Sequence, residues 1–333
     1  MVFVVEIAGP HWRKNGHPFR GRLENAGAFH LLRALLLIVV AGGGLYFASS
    51  AQAASITWVG LGSTNNWSEG ANWSTGVAPS SIDIAIFNAT SSKDATINTA
   101  INVGGIQIDT GYTGTVTQAS VTTTVGSSGF DQAGGTFVGS SSAITVNGAL
   151  ILSGGSFTST VGTLSVSGAF THGGGTFAPN GGTVTFTGSA ATVDVPGTET
   201  FNNLRFAPTT AGAVKTITAG TTLIAQGTLT LTEGAINTGT VAARGDISQA
   251  STFDGGTGFL TIDGTGAQTF TGAATTGAGA LPNLDIAKPS GTLTLTGTIR
   301  TGRNWTVTSG TINPTTSTVV YAGTLTITGS HTL

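Results

Sequence analysis

The sequence predicts an all-β fold, a right-handed parallel β-helix (a β-solenoid) with an aromatic-rich N-terminal cap, preceded by a signal peptide. Three observations carry this expectation. Only 8% of the 333 residues are charged, 39% are hydrophobic and 52 are glycine. A disordered chain carries more charge and fewer apolar residues. Small and β-branched residues between glycines favour strands joined by tight turns. Apolar residues also recur every twenty positions, and within each unit they alternate with Thr or Ser, as in Ile144-Thr-Val146 and Leu164-Ser-Val166. Such alternation sends large side chains to one strand face and hydroxyls to the other.

Residues 1–53 read as a signal peptide with a long basic N-region. Arg13, Lys14, Arg20, Arg22 and Arg33 precede the apolar run from Ala34 to Ala41, and Ala51-Gln52-Ala53 supplies a small-x-small cleavage site. Cleavage there starts the mature chain at Ala54. The apolar run is shorter than the ~20 residues that span a bilayer, so no transmembrane span is expected in the mature chain. The mature part holds seven basic and twelve acidic residues, a formal charge of −5. That mildly acidic, scattered balance excludes a nucleic-acid-binding patch. Cysteine is absent, which excludes disulfides, thiolate metal sites and a cysteine nucleophile.

Residues 54–90 read as the cap. Trp58, Trp67 and Trp73 lie within sixteen residues, Trp58 before Val-Gly and the other two in Asn-Trp-Ser settings, followed by Pro79, Asp83 and Phe87. The first coil of a solenoid exposes strand edges and core side chains, which large aromatics can close. The alternative is a platform on which sugars stack.

Residues 91–333 read as β-solenoid repeats of about 20 residues per coil. Phe137, Phe157 and Phe177 share the period with Ile144, Leu164 and Val184, with Val146, Val166 and Phe186, with Gly148, Gly168 and Gly188, and with Phe130, Leu150 and Phe170. A unit this short cannot close its own core and must stack on its neighbours. About 280 residues then make roughly fourteen coils. A longer period follows. Asn203-Leu204-Arg205-Phe206 recurs as Asn283-Leu284-Asp285-Ile286, and Gly234-Ala-Ile236-Asn237 as Gly310-Thr-Ile312-Asn313, at offsets of 80 and 76. These offsets read as four coils. The last unit reads as unfinished at Leu333, and the repeats are expected to continue as in a fragment.

The Asn-Trp-Ser block, followed by Ile106-Gln-Ile108, Tyr112-Thr-Gly114, Gly-Gly-Thr-Phe units and Asn-Leu strands, resembles the large repetitive surface proteins of bacteria, whose repeats are like autotransporter-passenger β-helices. The resemblance covers nearly all of 55–333. It implies a cell-surface or secreted location and adhesive, surface-layer or matrix roles.

No catalytic, cofactor or metal site is expected. The mature acids mostly lie ten or more residues apart, although coil stacking could join a pair such as Asp109 and Asp131. His172 and His331 are the only mature histidines, too few for a His-rich metal site or a Ser-His-Asp argument. Gly255-Gly-Thr-Gly-Phe259 lacks the Asp that a calcium nonapeptide needs. Arg244-Gly245-Asp246 reads as an incidental strand-turn, and the Thr-x-Thr runs at 228–232 and 292–296 as solvated strand faces. The expected function is an extracellular structural or adhesive β-helix that presents a Thr/Ser-rich face to glycans, matrix or other cells. The alternative is a carbohydrate-active enzyme, a polysaccharide lyase or hydrolase, on the same scaffold. The oligomeric state is left open.

Overall fold

The computed structural model describes residues 52–329, together with the backbone of Ile38–Ala41 and Gly44–Phe47. Those two segments form a short antiparallel pair. The other residues up to Ala51, with most of the expected signal peptide, and His331 lie outside the described residues. From Ser55 onward the chain is a parallel β-solenoid of about 12 turns with almost no helix.

Each regular coil lays down three strands, one on each of three faces. The coil that begins at Thr136–Val138 on face one continues through Ile144–Val146 on face two and Leu150–Leu152 on face three. The next coil repeats the order with Ser156–Thr158, Thr163–Val166 and Phe170–His172. Every strand pairs in parallel with its counterpart one coil away, so Ile144 meets Leu164, Leu150 meets Phe170 and Ser156 meets Thr176. The five twenty-residue registers read from the sequence are therefore coil-to-coil contacts. At the corners the chain must turn without a side chain in the way. A Cβ on Gly168 would lie 2.4 Å from the Gly148 carbonyl oxygen, and Gly155 adopts φ +70°. Only glycine accepts both conditions freely.

Coil length varies beyond residue 190. Leu204 pairs with Leu229, 25 residues on, whereas Leu229 pairs with Ile247, 18 residues on. Two sequence expectations change as a result. The longer coils and the extended N-terminal block reduce roughly fourteen coils to about 12. The 80-residue repeat is not four coils. Eighty residues on from Leu204, the chain has passed Leu229, Ile247 and Phe270 but stops one strand short of Leu295. Asn203–Phe206 thus lies on face two, whereas 283–286 pairs with Phe259–Ile262 and lies on face one. Likewise Gly234–Asn237 lies on face three, and 311–313 on face two. The strand motif recurs, and the insertions before it decide which face it occupies.

Face one is interrupted once. Thr176–Ala178 pairs back to Ser156–Thr158, and Thr198–Phe201 pairs forward to Thr222–Ala225, but the two do not pair with each other. Here Pro196, which has no N–H to donate, leads into the turn before Thr198. The half-buried Phe177 ring instead meets Phe201, with centroids 5.7 Å apart.

Trp58, Trp67 and Trp73 are all buried and pack edge to face, with centroids 5.1 Å apart for Trp58–Trp73 and 4.6 Å for Trp67–Trp73. Phe87 joins them and touches Tyr112 in the next turn. The sugar-platform alternative for these tryptophans is overturned, because none offers a ring face to solvent. Among the described residues Ser55–Thr57, at the start of the block, pairs only with Ile84–Phe87.

The Phe137, Phe157 and Phe177 rings form one column, at centroid separations of 4.9 and 5.9 Å and interplanar angles of 15° and 13°. Phe130 meets Phe157 edge-on at 5.4 Å, which locks the middle ring on a third side. Phe157→Ala should cost about 3–5 kcal/mol of stability, the transfer loss plus an uncollapsed cavity. In a near-one-dimensional array the coils beside it should open first. Chemical denaturation combined with hydrogen exchange measures both; a loss below about 1 kcal/mol would remove the column from the core.

Candidate functional site

Inward positions are fixed by the core, so the outward positions are where binding chemistry can reside. On face two the outward residues stack in register through ten strands, beginning with Asn102. From Thr124 to Thr296 each of them is Thr or Ser except Arg205. Hydroxyls on successive coils bond one another, as with Thr296 and Thr271 at 3.1 Å. On the same face Thr269 and Thr271 sit over Thr294 and Thr296. The Thr-x-Thr run at 292–296 therefore does meet a second such pair one coil away.

The most distinctive outward feature lies on face one. In Phe259–Ile262, Leu260 and Ile262 point into the core, which leaves Phe259 in the solvent phase, 51% exposed. It stands in register between Thr240 and Asn283. Two recesses, of about 310 and 370 Å³, meet at its ring. One is lined by Thr240, Thr261, Asn283, Asp285, Asn304 and Thr306, and the other by Thr238, Gly239 and Thr257 among others. The Asn283 amide is anchored, donating to the Thr257 and Gly258 carbonyls at 3.2 and 3.0 Å. Asp285 accepts the Thr308 hydroxyl at 2.7 Å through one oxygen, and Asn304 accepts the Thr326 N–H at 3.0 Å. Asn304's amide nitrogen and the hydroxyls of Thr240, Thr261 and Thr306 remain available for a ligand. Residue-by-residue reading of motifs passes over Phe259. The signal that finds it is the alternation phase set by Leu260 and Ile262.

Several carboxylates are engaged in holding backbone. Glu69 accepts the N–H groups of Ser63 and Thr64, both at 2.7 Å, and Asp83 those of Ala54 and Ser80 at 3.0 and 2.9 Å. Asp94 accepts the N–H of Thr115, and Asp246 that of Thr269, both at 2.8 Å. The Arg244-Gly245-Asp246 tripeptide is held in the same way. Arg244 bonds Asp263 at 3.3 Å, and a Cβ on Gly245 would meet the Gly227 carbonyl oxygen at 2.2 Å. Its Asp is exposed, but its carboxylate is tied to the backbone of the next coil.

Asp109 and Asp131 do approach one another. Gln107 pairs in register with Asp131 and donates to Asp109 at 2.7 Å. Burial first, and then the charge of Asp109, raise the Asp131 carboxyl above the ordinary carboxylate range. At the break in face one, His172 Nδ1 bonds Glu199 beside a recess of about 210 Å³ lined by Gly173–Gly175, Val195 and Pro196. Among the described residues no three His, Asp or Glu side chains are placed to hold a metal, and no helix is long and apolar enough to cross a membrane.

Two lysines point into the core. Lys288 Nζ donates to the Gly264 and Gly266 carbonyls and to Gln268 Oε1, at 2.7, 2.9 and 2.5 Å. Lys215, in register between Ala191 and Ile236, is 1% exposed and its Nζ has no hydrogen-bond partner among the described residues. Burial alone lowers it to about 8.

Two predictions follow from these groups. The folded protein binds fewer protons at Lys215 than the unfolded chain between pH 8 and 10.5, so stability rises with pH across that window. Lys215→Met should stabilise the protein at pH 7 by about 1–3 kcal/mol, the cost of an unsatisfied buried polar group. It should also flatten the rise, as urea titrations at pH 7 and pH 10 would show. Glu69 behaves in the opposite sense. Hydrogen bonds from Thr64 and Ser63 hold it down at about 2 against 4.5, so its contribution is complete above pH 4.5 and is lost as pH falls toward 2. Tryptophan fluorescence should show the 62–73 segment loosening over that range, and Glu69→Gln should already be loosened at neutral pH.

No family model, no curated protein and no solved structure matches this chain.

Proposed function

We propose that the chain is an exported structural and adhesive β-helix of the bacterial cell surface, wound right-handed, that presents its Thr/Ser face to glycans, matrix or other cells. The observation that carries this reading is the in-register Thr/Ser column of face two, a long polar surface built coil by coil with Arg205 as its one charged member. The engagement of Glu69, Asp83, Asp94 and Asp246 with backbone N–H groups supports it, because those carboxylates are occupied structurally. Right-handed winding follows the strong preference of parallel crossover connections. The Trp58, Trp67 and Trp73 cluster serves as the N-terminal cap, giving apolar cover where the ladders begin.

A second reading starts from Asp109 and Asp131, two carboxylates brought near one another through Gln107. Glycoside hydrolysis works through two carboxyls, and this pair is where an enzymatic alternative would have them.

One set of measurements separates the two. The full chain, expressed with its leader in a Gram-negative host, should yield a product that begins at Ala54 and labels on intact cells. Beads coated with it should attach saturably to glycan- or matrix-coated surfaces, without release of new reducing ends. Secreted material that retains Arg33, or failure of the beads to attach, would sink the adhesive reading. Reducing ends that disappear with Asp131→Asn would establish the enzymatic one.

A further inference from the structure

We infer that Phe259 and the two recesses beside it form a binding site for a neutral polysaccharide, with a sugar ring stacked on Phe259 and its hydroxyls paired to Asn304, Thr240, Thr261 and Thr306. The inference rests on the glycan-presenting reading above for its ligand class, but assigns the contact to face one rather than to the Thr/Ser column of face two.

Four observations converge on it. Among the described residues, Phe259 is the only Phe or Trp that is exposed, and it occupies a strand position that its register neighbours fill with Thr240 and Asn283. An aromatic face in solvent costs free energy until an apolar face covers it. The groups around the ring are amides and hydroxyls whose free atoms both donate and accept, as a sugar hydroxyl does. The recesses lie on both sides of the ring, so a chain of sugars can run across it rather than end at it. The lining holds one carboxylate, Asp285, and no Lys or Arg. An acidic polysaccharide would meet like charge with no compensating cation, which selects neutral sugars. A purely apolar partner surface would strand the free amide and hydroxyl groups of the recess.

The test uses the full chain and soluble mannan, β-glucan, galactan and polygalacturonate in affinity electrophoresis. The wild type should be retarded by at least one neutral polysaccharide and not by polygalacturonate. Phe259→Ala should weaken that retardation about tenfold or more, and Phe259→Trp should keep it. Because Phe259 lies outside the core, both variants should melt with the wild type. Retardation unchanged in Phe259→Ala, or preference for polygalacturonate, would overturn the site. If Thr230→Lys on face two abolishes retardation while Phe259→Ala does not, the site falls and the adhesive reading stands. Loss of self-association in Phe259→Ala, with sugar binding intact, would make the ring a contact between copies of the chain and would also overturn the site.

Discussion

The parallel ladder that joins each coil to the next is the constraint on which the structure depends. Hydrogen bonding fixes neighbouring strands about 4.8 Å apart, so each inward side chain rests on the one a coil below. Like therefore stacks on like, as in Phe137, Phe157 and Phe177 or Ile144, Leu164 and Val184. The ladder satisfies the strand backbone but leaves the corners without partners, and buried polar groups must be paired. Side chains supply what is missing there. Gln132 Nε2 donates to the Gly134 and Ser156 carbonyls, Gln268 Nε2 to that of Gly245, and Lys288 Nζ to those of Gly264 and Gly266. Lys215 occupies a comparable inward position with no such carbonyl among the described residues, and burial lowers its amine to about 8.

Where the ladder lapses, other contacts take over. Between Ala178 and Thr198 face one loses its strand pairing, and the core is held by Phe177 against Phe201 and by the His172–Glu199 pair. Faces two and three continue through the same coils, so the rod keeps two of its three ladders across the interruption. The N-terminal block works on a different principle. Its chain is folded by side chains, with Asn72 Nδ2 donating to the Thr64 and Asn66 carbonyls and Trp73 Nε1 to that of Trp67. The tryptophans pack edge to face beneath that loop.

Because the ladder claims the interior, any recognition chemistry has to be written on outward positions, where substitution costs the core little. A Thr/Ser column broken by Arg205 and the one exposed Phe ring among the described residues are both compatible with the same inward pattern. The two surfaces differ in kind. The face-two column repeats with the coil and offers an extended polar stripe, while Phe259 interrupts a polar column once and creates a local recess.

The all-β class, the coil stacking and the five registers between 130 and 188 were legible in the sequence because a strict period of twenty leaves only one way to stack alternating strands. The outward placement of the Thr and Ser residues followed from the same alternation. Past residue 190 the period loosens. Strand motifs such as Asn-Leu remained legible there, but their face did not, since face depends on the summed length of every insertion before it. The burial of Trp58, Trp67 and Trp73 was equally beyond a linear reading, because a platform and a packed cluster share the same composition. Phe259 lay between the two cases. Its outward phase was present in Phe-Leu-Thr-Ile, but the recesses beside it come from Asn283, Asp285 and Asn304, which only the stacking of later coils brings to the ring. Local alternation decides which way a side chain points; the winding of the rod decides what it points beside.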